Sequence, residues 1–160
     1  TFRPDQPITR AEFAAYMVRG LGLRGQQGAV SFTDVSEDDW YHDAAGTAGA
    51  YGLIRGLADG RFAGSDGITR EQAMVIMARA MTLTGLQGFS DDASEHEILR
   101  PFTDAARVSE WARRSVATSV QAGIVHGKNH GKLAPQDMLS RAEASVLIYR
   151  LLVQAGLIDE

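Results

Sequence analysis

Ile8-Thr9-Arg10-Ala11-Glu12 recurs as Ile68-Thr69-Arg70-Glu71-Gln72 and again as Leu139-Ser140-Arg141-Ala142-Glu143. In each copy a hydroxyl residue stands three positions before a Glu or Gln. That spacing lets the hydroxyl cap a helix start while the longer side chain folds back on the cap's own N–H. Each copy also puts an Arg at the first helical position, beside the positive end of the helix dipole, where a cation is locally unfavourable. The same cost met at the same place in all three copies points to an anion held between the guanidinium and the N–H groups of the helix start. The alternative is an inter-repeat salt bridge from Arg10, Arg70 or Arg141 to Asp34, Asp104 or a capping Glu.

Working outward, each motif opens an amphipathic helix. Phe13, Met17 and Leu21 form the first apolar stripe, with Tyr16 beside it. Ala73, Ile76, Met77 and Met81 form the second, and Ala144, Leu147, Ile148 and Leu152 the third. The methionines read as core filler. Gly22, Gly85 and Gly156 stand where each helix should stop. Before each motif a bulky apolar residue (Phe2, Phe62, Leu133) is followed by turn formers, as expected for a short loop or single β-bridge.

A second element precedes two of these units. Phe32-Thr33-Asp34-Val35 leads to Trp40, and Phe102-Thr103-Asp104-Ala105 leads to Trp111. A helix of small residues follows: Ala44, Ala45, Ala48 and Gly49 in one copy, Ser115, Val116, Ser119 and Val120 in the other. It ends at Gly52-Leu53-Ile54-Arg55-Gly56 or Gly123-Ile124-Val125-His126-Gly127. Small side chains suit a helix that must approach its neighbours closely. A polar stretch, Ser90-Asp91-Asp92-Ala93-Ser94-Glu95-His96-Glu97, reads as a solvated loop.

The totals bound the partners. The net charge of −4 argues against the extended basic face that nucleic-acid binding needs. With no Cys there are neither disulfides nor thiolate metal sites. His126 and His130 are flanked by glycines, so no helical metal pair is expected, and no cofactor is called for. No apolar run approaches membrane-spanning length, so membrane insertion is not expected. The first residues carry no signal-peptide pattern, and a secretion signal would lie outside this chain.

The ordered set of Phe-Thr-Asp, Trp, Gly-x-x-x-Gly, apolar anchor and Thr-Arg-Ala-Glu resembles the S-layer homology (SLH) domain of bacterial surface proteins. The resemblance implies a mostly α fold, with helix–loop–helix repeats in a pseudo-threefold bundle joined by short β-bridges or loops. Residues 1–25 would be the second half of a first repeat left incomplete, 32–88 and 102–160 full repeats, and 89–101 a linker. It implies an extracellular, non-catalytic module that binds an anionic, pyruvylated secondary cell-wall polysaccharide in inter-repeat grooves. Carried over, the glycan-binding residues are Arg10, Arg70 and Arg141, with Trp40 and Trp111 as groove walls or helix anchors. Asp34 and Asp104 join them as turn caps or sugar contacts. Gln72, which replaces the motif Glu, and His126, which stands where Arg55 does, make the grooves unequal. The rival readings are a protein–protein module using the same grooves, with a second chain or segment completing the first repeat, and an enzyme, either this domain itself with a close carboxylate pair in a deep pocket or a catalytic domain attached outside it.

Overall fold

The computed structural model describes residues 3–25, 30–86, 88 and 94–159. Phe2 and the stretches 26–29 and 89–93 lie outside the described residues. The helices are α1 (Arg10–Gly20), α2 (His42–Ala50), α3 (Arg70–Leu83), α4 (Glu95–Leu99), α5 (Arg113–Gln121) and α6 (Arg141–Gln154). Two single 3-10 turns, Ala105–Arg107 and Glu110–Ala112, lead into α5. Among the described residues β structure is limited to isolated bridges, so the mostly α expectation holds.

The motif helices start as their sequences require. Thr9 Oγ1 accepts from the Glu12 N–H and the Thr9 N–H donates back to Glu12 Oε2. Thr69 with Gln72 and Ser140 with Glu143 repeat the box. The three residues just before the caps meet at the pseudo-threefold centre. The Ile8 N–H donates to the Leu139 carbonyl (2.9 Å), the Leu139 N–H to Ile68 (2.9 Å), and the Ile68 N–H to Ile8 (3.4 Å). All three side chains are fully buried. Burial leaves no water for these amides, so each must find a partner, and each finds it in another repeat. The core continues outward through Phe13, Met17, Phe62, Met74, Met77, Met81, Leu133 and Leu151.

The small-residue helices pack on the motif helices, α2 against α1 and α5 against α3. Ala45 and Ala48 in one, Val116 and Ala117 in the other, are fully buried. Ser119 Oγ donates to the Met74 carbonyl (2.9 Å), so the one buried hydroxyl of this contact is satisfied. The closing glycine of each Gly-x-x-x-Gly run is there for space. A Cβ on Gly56 would sit 2.9 Å from the Phe32 ring, and one on Gly127 would sit 3.0 Å from the Phe102 ring. The α6 face has no such cover among the described residues. Val146 is 44 % exposed, whereas its counterpart Val75, under α5, is 6 % exposed.

One sequence expectation is corrected. The tail of the polar stretch read as a loop is helical: Ser94 and Glu97 form a fourth capping box at the start of α4. The Ser-x-x-Glu signature was visible but lay in a charged run. Five residues cannot hold a helix in water; burial of Leu99 and packing against α5 hold this one.

Candidate functional site

The helix starts do not offer N–H groups to a ligand. In α1 the Arg10 N–H donates to the Asp66 carbonyl (2.9 Å), the Ala11 N–H to Gly64 (3.0 Å), and the next two N–H groups are used by the Thr9 cap. The loop around residue 135 does the same for α3, through Asp137 and Pro135, and residues 4–6 do it for α6, through Gln6 and Pro4. The expectation of an anion shared with helix amides is therefore corrected. Each loop already supplies the acceptors, and only side chains remain free to bind.

Asp34 and Asp104 fix those loops. The Asp34 carboxylate takes the N–H groups of Phe62 (2.6 Å) and Ala63 (2.8 Å). Asp104 takes those of Leu133 and Ala134, both at 2.8 Å. These caps reach across about thirty residues rather than to the following turn, and both oxygens of each carboxylate are engaged. Desolvation works to raise the Asp34 carboxyl, but the amide hydrogen bonds and the nearby Arg61 charge outweigh it and hold it below the usual carboxylate range.

The three arginines share a register and differ in partners. Arg10 and Arg70 are buried, and their Nε atoms donate to the Phe62 (2.9 Å) and Leu133 (2.8 Å) carbonyls. The corresponding Nε of Arg141 is buried with no partner among the described residues; the register-equivalent residue, Phe2, is outside them. Arg70 Nη1 pairs with Glu143 Oε1 (3.1 Å), which also holds Lys128 Nζ (2.7 Å). Arg141 Nη2 pairs with Glu12 Oε1. For these two the salt-bridge alternative is what forms. Arg10 has no ion pair among the described residues; its Nη2 donates to the Arg55 carbonyl (3.2 Å), and its guanidinium lies 5.5 Å from the centre of the Phe62 ring.

Gln72 explains the difference. Its Oε1 accepts from the Thr69 N–H (3.0 Å), as one carboxylate oxygen does in the other copies. Its other terminus, where Glu143 and Glu12 present the oxygen that binds Arg, is an amide donor. Around it lies a cavity of about 150 Å³ lined by Arg10, Ile54, Arg55, Val75, Arg79 and Trp111. Burial lowers the affinity of Arg79 for its proton, and the neighbouring Arg55 and Arg10 charges lower it further. Arg10 is likewise lowered by burial, partly offset by Asp66 and Asp34. Three guanidiniums thus crowd one groove whose lining holds no carboxylate.

The tryptophans are not core anchors: Trp40 is 64 % and Trp111 62 % exposed. Trp111 walls the Arg10 groove, while the ring of Trp40 packs edge-on to Tyr41. Arg55 and Arg79 were missed as site residues. The available signal was register: Arg19, Arg79 and Arg150 each stand nine positions after a motif Arg.

The S-layer homology domain profile matches residues 1–14, 31–74 and 101–145, and the chain belongs to that family. Over 97% of its length it is 35% identical to an amylopullulanase of Thermoanaerobacterium thermosulfurigenes, of which it spans 8%. It is 32% identical over 93% of its length to the surface-layer 125 kDa protein of Lysinibacillus sphaericus, of which it spans 12%. Among solved structures it resembles an undecaheme cytochrome from the S-layer of Carboxydothermus ferrireducens. The TM-score is 0.51 at 14% identity, over 99% of this chain and 19% of that one, a likeness of fold alone. Domains of this family are non-catalytic and anchor proteins at the cell surface, and this chain is such a module of the bacterial cell surface or wall. No helix of the described residues is long and apolar enough to cross a membrane.

Proposed function

We propose that the Arg10 groove binds an anionic, pyruvylated secondary cell-wall polysaccharide without catalysis and so anchors whatever is attached to the module. The observation that carries this reading is the convergence of Arg10, Arg55, Arg79 and the Gln72 amide on one cavity beside the exposed Trp111 ring. A ketal carboxylate offers two coplanar oxygens to a planar guanidinium, and an indole face suits the apolar face of a sugar ring. Arg70 and Arg141, already paired with Glu143 and Glu12, are the counterparts of Arg10 in the other two repeats, and Trp40 is the counterpart of Trp111. Asp34 and Asp104 act by holding the loops. Calorimetric titration with a pyruvylated wall disaccharide, beside the same sugar stripped of its ketal, tests this. Saturable binding of the first alone supports it; equal binding of both, or of neither by the folded chain, overturns it.

The open α6 face favours a second role in assembly. Val146, Tyr149, Leu157 and Ile158 are exposed beside an apolar cavity of about 340 Å³ between α1 and α6. Patches of this kind mark contact surfaces, and the isolated chain would pair there with a second copy. Sedimentation equilibrium should show self-association that Val146→Arg removes; a monomer at all concentrations would discount the role.

A further inference from the structure

Among the differences between the grooves, the one at Gln72, Glu143 and Glu12 changes a charge, and that difference assigns them different duties. We propose that the residue at the third position of the neighbouring motif helix decides which groove accepts an external anion. Gln72 leaves the Arg10 groove open, and Glu143 and Glu12 fill the anion position of the other two from within. This inference rests on reading the Arg10 groove as an anion site.

The geometry supports it at each copy. Glu143 Oε1 sits 3.1 Å from Arg70 Nη1 and 2.7 Å from Lys128 Nζ, so one internal carboxylate already pairs with two cations beside the motif Arg. Desolvation pushes the Glu143 carboxyl up, but Lys128, the Ser140 amide and Arg70 prevail and keep it ionised. An external carboxylate would meet a like charge there. Glu12 Oε1 holds Arg141 in the same manner. At Arg10 the corresponding residue is Gln72, which lines the groove and, with Oε1 on the Thr69 N–H, has only its amide nitrogen left, a donor that cannot cancel the guanidinium charge. Both Gln and Glu complete the capping box, so exchanging them leaves the helix start intact.

Isosteric exchange therefore separates charge from fold. The probe is inorganic sulfate, titrated into the nitrogen-15-labelled chain while the Arg10 and Arg70 Nε–Hε resonances are followed. In the wild type Arg10 should respond at roughly tenfold lower sulfate than Arg70. Gln72→Glu should weaken the Arg10 response by roughly tenfold, and Glu143→Gln should bring the Arg70 response to within a few-fold of Arg10. Equal responses of the two arginines in the wild type, no Arg10 response at all, or an unchanged Arg10 response in Gln72→Glu would overturn the inference. The disaccharide titration distinguishes the two failures. If the wild type and Gln72→Glu bind the ketal sugar alike, the inference falls and the glycan reading stands. If sulfate discriminates but the sugar does not bind, the glycan reading falls alone.

Discussion

Arg10→Lys is expected to weaken binding of the ketal disaccharide by roughly 10- to 100-fold, the scale of one charge-assisted hydrogen bond and its geometry. Lysine keeps the charge, so a groove that needed only positive potential would lose little. What disappears is the fork. Arg10 spends Nε on the Phe62 carbonyl and Nη2 on the Arg55 carbonyl, and these two bonds aim the rest of the guanidinium into the cavity. An ammonium cannot make both contacts and still present a planar face. Arg10→Ala should lose at least as much. Calorimetry reads both variants, with circular dichroism to confirm the helices. Affinity of Arg10→Lys within twofold of wild type would show that the groove works through charge alone.

Phe62→Ala should be the most destabilising of the single changes near the groove, costing about 3–5 kcal/mol. The ring is fully buried. It packs 5.0 Å from the Phe32 ring and 6.0 Å from the stacked Tyr41 ring, with the Arg10 guanidinium on its face. Two of its neighbours are rigid aromatic rings that can fill the space only in part, so much of the cavity would remain. For a chain of this size the loss corresponds to a fall in Tm on the order of 10 °C. Urea unfolding gives the free energy directly, and a loss below about 1 kcal/mol would mean that the aromatic cluster collapses around the gap. The same variant should also loosen Arg10, since its floor and its loop are the same residue.

The sequence carried the helices well, because their determinants are local. Thr9 with Glu12, Thr69 with Gln72 and Ser140 with Glu143 each declare a helix start within four residues, and Gly22, Gly85 and Gly156, all with positive φ, declare the stops. It carried the site less well, because there the determinants are distant. Arg70 meets Glu143 and Arg141 meets Glu12 across the whole module. Spacing alone could not say which capping residue faced which guanidinium. Gln72 was legible only as a departure from its motif; it gains meaning once it is seen to line the Arg10 groove with an amide where the other copies carry a carboxylate. The use of the helix-start amides by neighbouring loops was hidden for the same reason, since residues 64 and 66 serve Ala11 and Arg10 from another repeat.

The cycle of amides through Ile8, Leu139 and Ile68 has no free end. An open solenoid leaves an unpaired repeat at each terminus and can lengthen one repeat at a time. Here a fourth capped helix would find every acceptor at the centre already taken, so the module is a closed integer of three. Stronger attachment to a wall polymer cannot come from growing this ring. It has to come from stringing whole modules on one chain, or from many chains on one polymer, where the gain follows local concentration rather than any new contact.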